Sequence, residues 1–513
     1  MLKFEKKSNP RIALISPQVI GAKEQVRKAQ PPLGISYLAA TLEAHGYRDL
    51  FVLDAVVEGY DHVVPLADNP NFIKYGLSDE GVVDRLKEFK PDLLGISSLF
   101  SSQTECAFSI ANAVRQAFPK LPIVMGGNHA SNLAEQIIQT VSSVDCILRG
   151  EAEYTFLEFI QKSFSGVDFH DVPGLVWREN DDNSLVRANP NKPFNKTLDE
   201  LAYPAFHLFP MERYFEIGMP HNPFVKSGRV GSIMTSRGCP EACYFCTSPT
   251  FTGTLYRAMS PEAVARMIKE DVDKYGVKEI QILDDQFTLN HVRAIQICNL
   301  IKDFGLRITL PNAIRGDRPL NHEKRYQMFA AMKTAGFEQF GMSVEHGDQE
   351  FLNTVVEKAL DLNEARATCD LAHKAGLLVH ANFMMGFPFE TEALRQKTIQ
   401  FSKSLDADSF SVSLASPLPG TKMWDIVEEN NLFMPNFNVN RLVYVNVNII
   451  PHDTTPERLK EQAENLNKEL NEAAQMKRPE TREKYRRFME SGKTANGDRK
   501  YHFDRHEIVH QSA

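Results

Sequence analysis

Residues 229–248 read RVGSIMTSRGCPEACYFCTS. A short β-prone run leads directly into a loop that holds Cys239, Cys243 and Cys246 in the spacing C-x3-C-x2-C. Helix–strand pairs follow it. SPEAVARMIKEDVDKYG leads to EIQILDD, HVRAIQICNLIKDFG to RITLPNAIRG, and EKRYQMFAAMKTAG to QFGMSVEHG. ARATCDLAHKAG then leads to LLVHANFMMGFP, and EALRQKTIQFSKSL to SFSVSLASPLPG. Helical periodicity alternating with short apolar runs predicts parallel strands joined by crossover helices. The six units are two short of a closed eight-unit barrel, so residues 229–431 are expected to form an open, partial β/α barrel. Chemistry in such a barrel sits at the carboxyl ends of the strands, where the cysteine loop lies.

Upstream, residues 1–180 alternate in the same way. RIALISP, LFVLDAV, DLLGISSLF and PIVMGG read as strands between helical stretches, and CILRGEAEYTFLEFIQK closes the pattern. The expectation is α/β: a doubly wound parallel sheet covered on both faces. Ligands bind such sheets beyond the carboxyl ends of the strands. Those ends carry Ser97 and Ser98, then Gly126, Gly127, Asn128 and His129, then Gly150 and Glu151. All eight are candidate binding residues. Residues 181–228, rich in Asn, Pro and charge, read as a linker. Residues 432–513 read as a helical extension with a polar tail. Leu459, Ala463, Leu466, Leu470 and Ala473 repeat at helical spacing behind Thr455-Pro456. His502, His506 and His510 recur every fourth residue in the tail, where a solvated segment is the plainer reading than a metal row.

Composition narrows the function. Lys plus Arg total 58 against 66 for Asp plus Glu, a formal net charge of −8. Without a basic excess, nucleic acid is not an expected partner. No run approaches the ~18 apolar residues of a membrane span, and MLKFEKKSNPR lacks the apolar centre of a secretory signal. A cytoplasmic enzyme is expected. The seven cysteines are an odd number, which argues against a disulfide framework. Cys106, Cys146, Cys298 and Cys369 sit among apolar neighbours and read as small buried hydrophobes. The triplet admits three readings. Structural zinc wants four closed ligands, and a C-x-x-C dithiol leaves Cys239 idle. An iron–sulfur cubane on three thiolates leaves one iron open for a substrate or cofactor.

Cys239-x3-Cys243-x-Phe245-Cys246, behind the first strand of a partial barrel, resembles the signature of radical S-adenosylmethionine (SAM) enzymes. The resemblance implies a 4Fe-4S cluster on the three cysteines, with SAM on the fourth iron. It places Phe245 by the adenine, and Asp284, Asp285 and Glu345 by the amino and ribose groups. Gly386-Phe387-Pro388 matches the family's Gly-x-Pro turn, and Pro419-Gly420-Thr421 its sixth-strand turn. The N-terminal stretches PPLGISYLAATLEAHGY, GISSLF, MGGNHAS and DCILRGEAEYTFLEF resemble the Rossmann-like cobalamin-binding domain that precedes the barrel in one branch of these enzymes. That branch includes the class B methyltransferases. The Asp-x-His-x-x-Gly cobalt-ligand motif is missing, since Asp168-Phe169-His170 meets Gly174 one residue too late. The resemblance thus implies base-off cobalamin, with His129 in contact with the corrin or packed against it.

FIKYGLSDEGVVDRLKEFKPDLLGISSLFSSQ, MERYFEI and VGSIMTSRGCPEACYFCT are similar to the phosphonate C-methyltransferases of fosfomycin-type antibiotic biosynthesis. The implied activity is methylation of an unactivated carbon of a small-molecule intermediate, with electrons from a flavodoxin or ferredoxin. Arg315, Asp317 and Arg318 are candidates to meet a phosphate or phosphonate. Two other outcomes stay open: a cobalamin-dependent cyclase or oxidoreductase without methyl transfer, and a corrinoid-binding module without catalysis.

Overall fold

Five apolar runs of the first 150 residues lie side by side in a computed structural model, which describes residues 4–23, 25–179, 185–222 and 225–478. They are β1 (Ile12–Ser16), β2 (Leu50–Asp54), β3 (Leu93–Ser97), β4 (Ile123–Gly126) and β5 (Cys146–Leu148). All five are parallel, in the order β2-β1-β3-β4-β5. The order reverses between β1 and β3, which opens a crevice beyond their carboxyl ends. Side chains alternate faces along each strand. Ile12 and Leu14 pack with Leu42 and Phe159 from the helices Leu33–Ala44 and Glu153–Ser165. Ala13 and Ile15 pack with Leu86 and Ile110 from Asp79–Phe89 and Ser101–Ala117.

The sheet does not stop at residue 180. β6 (Leu175–Arg178) and β7 (Val186–Ala188) extend it antiparallel at the β5 edge, so part of the expected linker is strand. Three residues at a sheet edge carry too little alternation to announce themselves. The rest of the connection is tethered to both halves. Tyr214 donates to buried Asp54 at 2.6 Å, and Tyr203 donates to Asp271 of the helix Pro261–Tyr275.

The second half carries six parallel strands: β8 (Val230–Ile233), β9 (Glu279–Ile282), β10 (Arg307–Thr309), β11 (Gln339–Glu345), β12 (Leu378–Met385) and β13 (Ser409–Leu414). They pair as two triplets, and isolated parallel bridges Ile308–Phe337 and Ile314–Met342 join β10 to β11. An open barrel leaves an unpaired edge at β13. The helix Pro456–Lys477 covers it: Asn467 accepts from the Val412 N–H at 3.2 Å, and Asn471 both accepts from and donates to the Phe410 backbone at 3.0 Å. Leu459, Ala463, Leu466 and Leu470 are buried as the periodicity predicts. The last position is corrected: Ala473 is exposed and Ala474 buried, because successive turns drift round the helix. His502, His506 and His510 lie outside the described residues. Among the described residues, no helix is long and apolar enough to cross a membrane.

Candidate active site

The cysteine loop leaves β8 through Ser236–Arg237, which pairs antiparallel with Arg257–Ala258. Gly238 makes the turn with φ +85°, and a Cβ there would lie 2.2 Å from the Leu255 carbonyl oxygen, so only glycine fits. The Cys239 N–H then donates to Gly253 O (3.1 Å) and the Cys246 N–H to Cys243 O (3.0 Å). Ser248 N–H points at Cys246 Sγ, 3.4 Å away. Outside anchors fix the loop on the barrel. Tyr244 bonds the Val356 carbonyl and the Met423 N–H through its backbone.

Arg315, buried on the barrel wall, donates to Asp317 at 2.6 and 3.0 Å, to Ala359 O at 2.6 Å and to Glu241 of the loop. Arg315 and Asp317 are therefore engaged in anchoring the loop rather than held free for a phosphate; Arg318 alone of the three is exposed. The thiols are free. Burial pushes Cys239 up to about 11 and Cys243 up to about 12.

The strand ends around the loop divide into two kinds. Asp284 turns inward: its carboxylate takes the Thr235 N–H at 2.5 Å and the Thr235 and Ser236 hydroxyls at 2.6 Å each. It braces the start of the loop in place of the cofactor contact expected of it. Asp285 faces the other way, accepting from Ser248 at 3.0 Å beside Cys246. Glu345 ends β11 at a register shift with φ +72°, a strained conformation for a residue other than glycine. Lys358 holds it at 2.9 Å, with both side chains 8% exposed. Desolvation works against the Lys358 charge, but Glu345 and Cys243 outweigh it and raise its pKa.

Behind Glu345, His346 accepts the Asp348 N–H on Nδ1, so its proton is on Nε2, 3.0 Å from Glu390 Oε1. Glu390 Oε2 takes the Gly386 N–H at 2.5 Å. Phe387 packs among Tyr244, Phe245 and Phe351 at ring distances of 5.7 to 6.5 Å, and Pro388 is buried beside it.

The N-terminal turns meet this loop directly. Asn128 Nδ2 donates to Thr247 Oγ1 at 3.2 Å and accepts from Asn132 at 3.0 Å. Asn132 in turn abuts Gly420 of the sixth-strand turn, where a Cβ would come within 2.8 Å of it. Gly127, at φ +106°, lies so close to the Ser98 backbone that a Cβ would fall 2.7 Å from it. Ser97 is partly exposed at the end of β3, whereas Ser98 is fully buried with its hydroxyl 3.2 Å from Thr104. His129 is buried, 2.9 Å from the Ser101 hydroxyl, and burial lowers its pKa to about 4, so it is neutral.

Gly126 is the last residue of β4, and Gly150, at φ +75°, donates its N–H to Ser131. Glu151 departs from expectation: Arg257 takes both its oxygens at 2.6 and 2.8 Å. A desolvated carboxylate needs such partners, and this one is not left for a ligand. His170 pairs with Asp168 and stacks on Phe169, remote from these turns in its contacts.

Comparison with known proteins identifies both halves. The B12 binding domain family matches residues 22–160, and the Radical SAM superfamily matches residues 233–402. An uncharacterized methyltransferase of Pyrococcus horikoshii is 32% identical over 425 residues, covering 83% of this chain and 84% of that protein. The chain belongs to the radical SAM superfamily, in the branch that carries a B12-binding domain. The cytidylyl-2-hydroxyethylphosphonate methyltransferase of Streptomyces wedmorensis is 28% identical over 468 residues, 86% of each chain. The cobalamin-dependent radical SAM enzyme OxsB, solved with aqua-cobalamin, superposes with TM-score 0.68 at 16% identity over 90% of this chain and 66% of its own.

The residues of this radical SAM chain fit the cofactors of the two domains. Three free thiols share one loop, and among the described residues no three His, Cys, Asp or Glu side chains converge on a single-ion site. A multi-iron cubane takes its thiolates at separate corners, which three cysteines spaced along one loop can supply, and its cationic irons would offset the desolvation of the thiolates. Several functional positions gave no motif in the sequence. Lys358 lies in a segment where Glu357 and Ala359 adopt positive φ without being glycine. The Tyr444 carbonyl takes the Leu414 N–H at the end of β13.

Proposed function

We propose that this protein is a cobalamin-dependent radical SAM methyltransferase acting at an unactivated carbon of a small molecule. The observation that carries the reading is the Asn128–Thr247 contact, which sets the strand ends of the B12-binding domain against the cysteine loop. When bound, the cluster and SAM supply a 5′-deoxyadenosyl radical for hydrogen abstraction, and cobalamin carries the methyl group to be transferred.

The chain's own part is placement. Cys239, Cys243 and Cys246 hold the cluster, and Asp285 and Glu345 offer carboxylates suited to the amino and ribose groups of SAM. Phe245 and the Gly386-Phe387-Pro388 turn form an apolar seat for adenine. On the opposite wall, Gly126, Gly127 and Gly150 let the corrin approach the backbone, with Ser97 and Asn128 as polar contacts. Asp284, Ser98, His129 and Glu151 act behind these surfaces by fixing the turns. A flavodoxin or ferredoxin is the electron donor, and a phosphonate-type substrate agrees with the similarity to the phosphonate methyltransferase.

The test is anaerobic turnover of the protein reconstituted with iron, sulfide and hydroxocobalamin and supplied with SAM, a reductant and candidate substrates, beside Cys239→Ala. The parent is expected to form both 5′-deoxyadenosine and S-adenosylhomocysteine, and the variant no 5′-deoxyadenosine. Formation of 5′-deoxyadenosine alone, with a ring-closed or desaturated product, would point to the cyclase class instead. A fully loaded parent that forms neither would refute the enzymatic reading.

A further inference from the structure

Four charged side chains meet in the seam between the two cofactor domains. Glu151 and Glu153 flank the turn that follows β5, with Glu153 opening the helix Glu153–Ser165. Arg237 and Arg257 are cross-strand partners in the hairpin that carries the cysteine loop, and Arg237 lies two residues before Cys239. Arg257 grips Glu151 with both nitrogens at 2.6 and 2.8 Å. Arg237 donates to Glu153 at 2.6 Å and reaches Glu151 at 3.3 Å. Every one of the four side chains is at most 10% exposed. The linker closes over them: the Asn195 carbonyl takes Arg257 at 3.0 Å, and the Phe194 ring lies 4.7 Å from its guanidinium. The Tyr37 ring lies 5.4 Å from the Arg237 guanidinium.

Two formal positive and two formal negative charges balance, and the planar forks of arginine fix angles as well as distances. A buried ion pair is poor evidence for added stability, since an apolar contact of similar volume does as well or better. Its best-attested use is register. Here it ties a turn of the B12-binding domain to the hairpin of the barrel that carries the cysteine loop. The neighbouring cavity, about 190 Å³ and lined by Gly150, Asn191 and Asn195, leaves the quartet room to shift if the charges no longer match.

We infer that Glu151, Glu153, Arg237 and Arg257 are positioning residues that set the spacing between the cobalamin and the iron–sulfur cluster, and thereby divide SAM between methyl donation and reductive cleavage. This rests on the function proposed above. The probes are the protein's own spins, cob(II)alamin and the reduced cluster, whose dipolar coupling is read by pulsed EPR in the doubly loaded enzyme. Glu151→Gln and Glu153→Gln are each expected to load iron and cobalamin as the parent does. Each is expected to broaden or shift the spin–spin distance and to change the ratio of S-adenosylhomocysteine to 5′-deoxyadenosine at least threefold. Arg257→Lys, which keeps the charge and loses the planar fork, is expected to shift the distance in the same sense.

Loaded Glu151→Gln and Glu153→Gln with the parental distance and ratio would overturn the inference, as would an Arg257→Lys protein with the parental distance. Should Glu151→Gln fail to load, Glu153→Gln, which breaks only the Arg237 contact, decides by the same two readings. A parent that forms no 5′-deoxyadenosine is a different failure and falls on the proposed function.

Discussion

Asn128 and Thr247, 119 positions apart, are joined by a hydrogen bond of 3.2 Å from Nδ2 to Oγ1. One follows the fourth strand of the B12-binding sheet, and the other follows Cys246 directly. Asn132 holds the amide of Asn128 from behind, so the side chain has little freedom to turn away.

Asn128→Ala deletes this contact without adding bulk. A hydrogen bond of this kind contributes about 1 kcal/mol, or roughly fivefold in an equilibrium. The variant is expected to load the cluster with parental stoichiometry, and to lose about that factor in coupled methyl transfer. Product formation at saturating SAM checks it. Parental turnover would mean that the contact only touches the seam without tightening it.

The His346–Glu390 pair lies behind Glu345 and Gly386, two residues proposed to meet SAM. Glu390 serves two donors, the Gly386 N–H and the protonated Nε2 of His346, and both side chains are fully buried. Glutamine cannot accept twice in that geometry without turning its NH2 toward one donor. The mismatch costs about 1–3 kcal/mol, and it falls on the Gly386 turn and on the residue beside Glu345. Glu390→Gln is therefore expected to weaken SAM binding about thirtyfold, which is about 2 kcal/mol, the middle of that range. Equilibrium titration of SAM into cluster-loaded, cobalamin-free protein measures it. Unchanged affinity would detach the pair from the SAM site.

The linker's two tyrosines predict a pH dependence. Burial raises the Asp54 carboxyl from 3.8 to about 7, even though the Tyr214 hydroxyl bond pulls the other way. Burial does the same to Asp271 beneath Tyr203, also to about 7. Because the folded values are above the unfolded ones, the folded state holds these protons more tightly. Their contribution to stability is complete below about 3.8 and is lost as the pH rises through about 7. The Tm of the metal-free protein is expected to decline across that window. Asp54→Asn with Asp271→Asn flattens the decline, and a double variant with the parental slope would place the titrating groups elsewhere.

These tethers also mark what a sequence can reveal. The six barrel strands and the alternating N-terminal sheet were legible because helical and strand periods repeat over long, regular stretches. The cysteine loop was legible because its spacing is itself the chemistry. Asp284, Ser98 and Glu151 were legible as polar residues at strand ends, but not which way they face. Asp284 and Asp285 are adjacent yet bond different segments, Asp284 the Thr235–Ser236 turn and Asp285 the Ser248 hydroxyl, and only the packed structure shows which partner each takes. Glu151 looks like a free carboxylate until Arg257, 106 positions away, is seen to take both oxygens. Long-range pairing of this kind leaves no local period, so Lys358, Arg237 and Arg257 carried no signal. The same holds for β7, whose strand character comes from its neighbour.

The open edge of β13 gives the last prediction. Val412 N–H and the Phe410 backbone would be bare at the end of an incomplete barrel, and exposed edges of this sort recruit other strands. Asn467 and Asn471 lie four apart, one helical turn, on the face of Pro456–Lys477 that also buries Leu466 and Leu470. The helix thus seals the edge with amides as well as with apolar contacts. Asn467→Ala with Asn471→Ala keeps the helix, since alanine is the stronger helix former, and removes only the edge pairing. Three backbone-directed bonds are lost, at about 1 kcal/mol each, which lowers Tm and leaves the strand groups to seek partners. The expected outcome is a helical, cofactor-competent protein that unfolds earlier and aggregates on warming. Circular dichroism melting with light scattering reads both effects. A variant that melts and scatters like the parent would show that the apolar face alone closes the barrel.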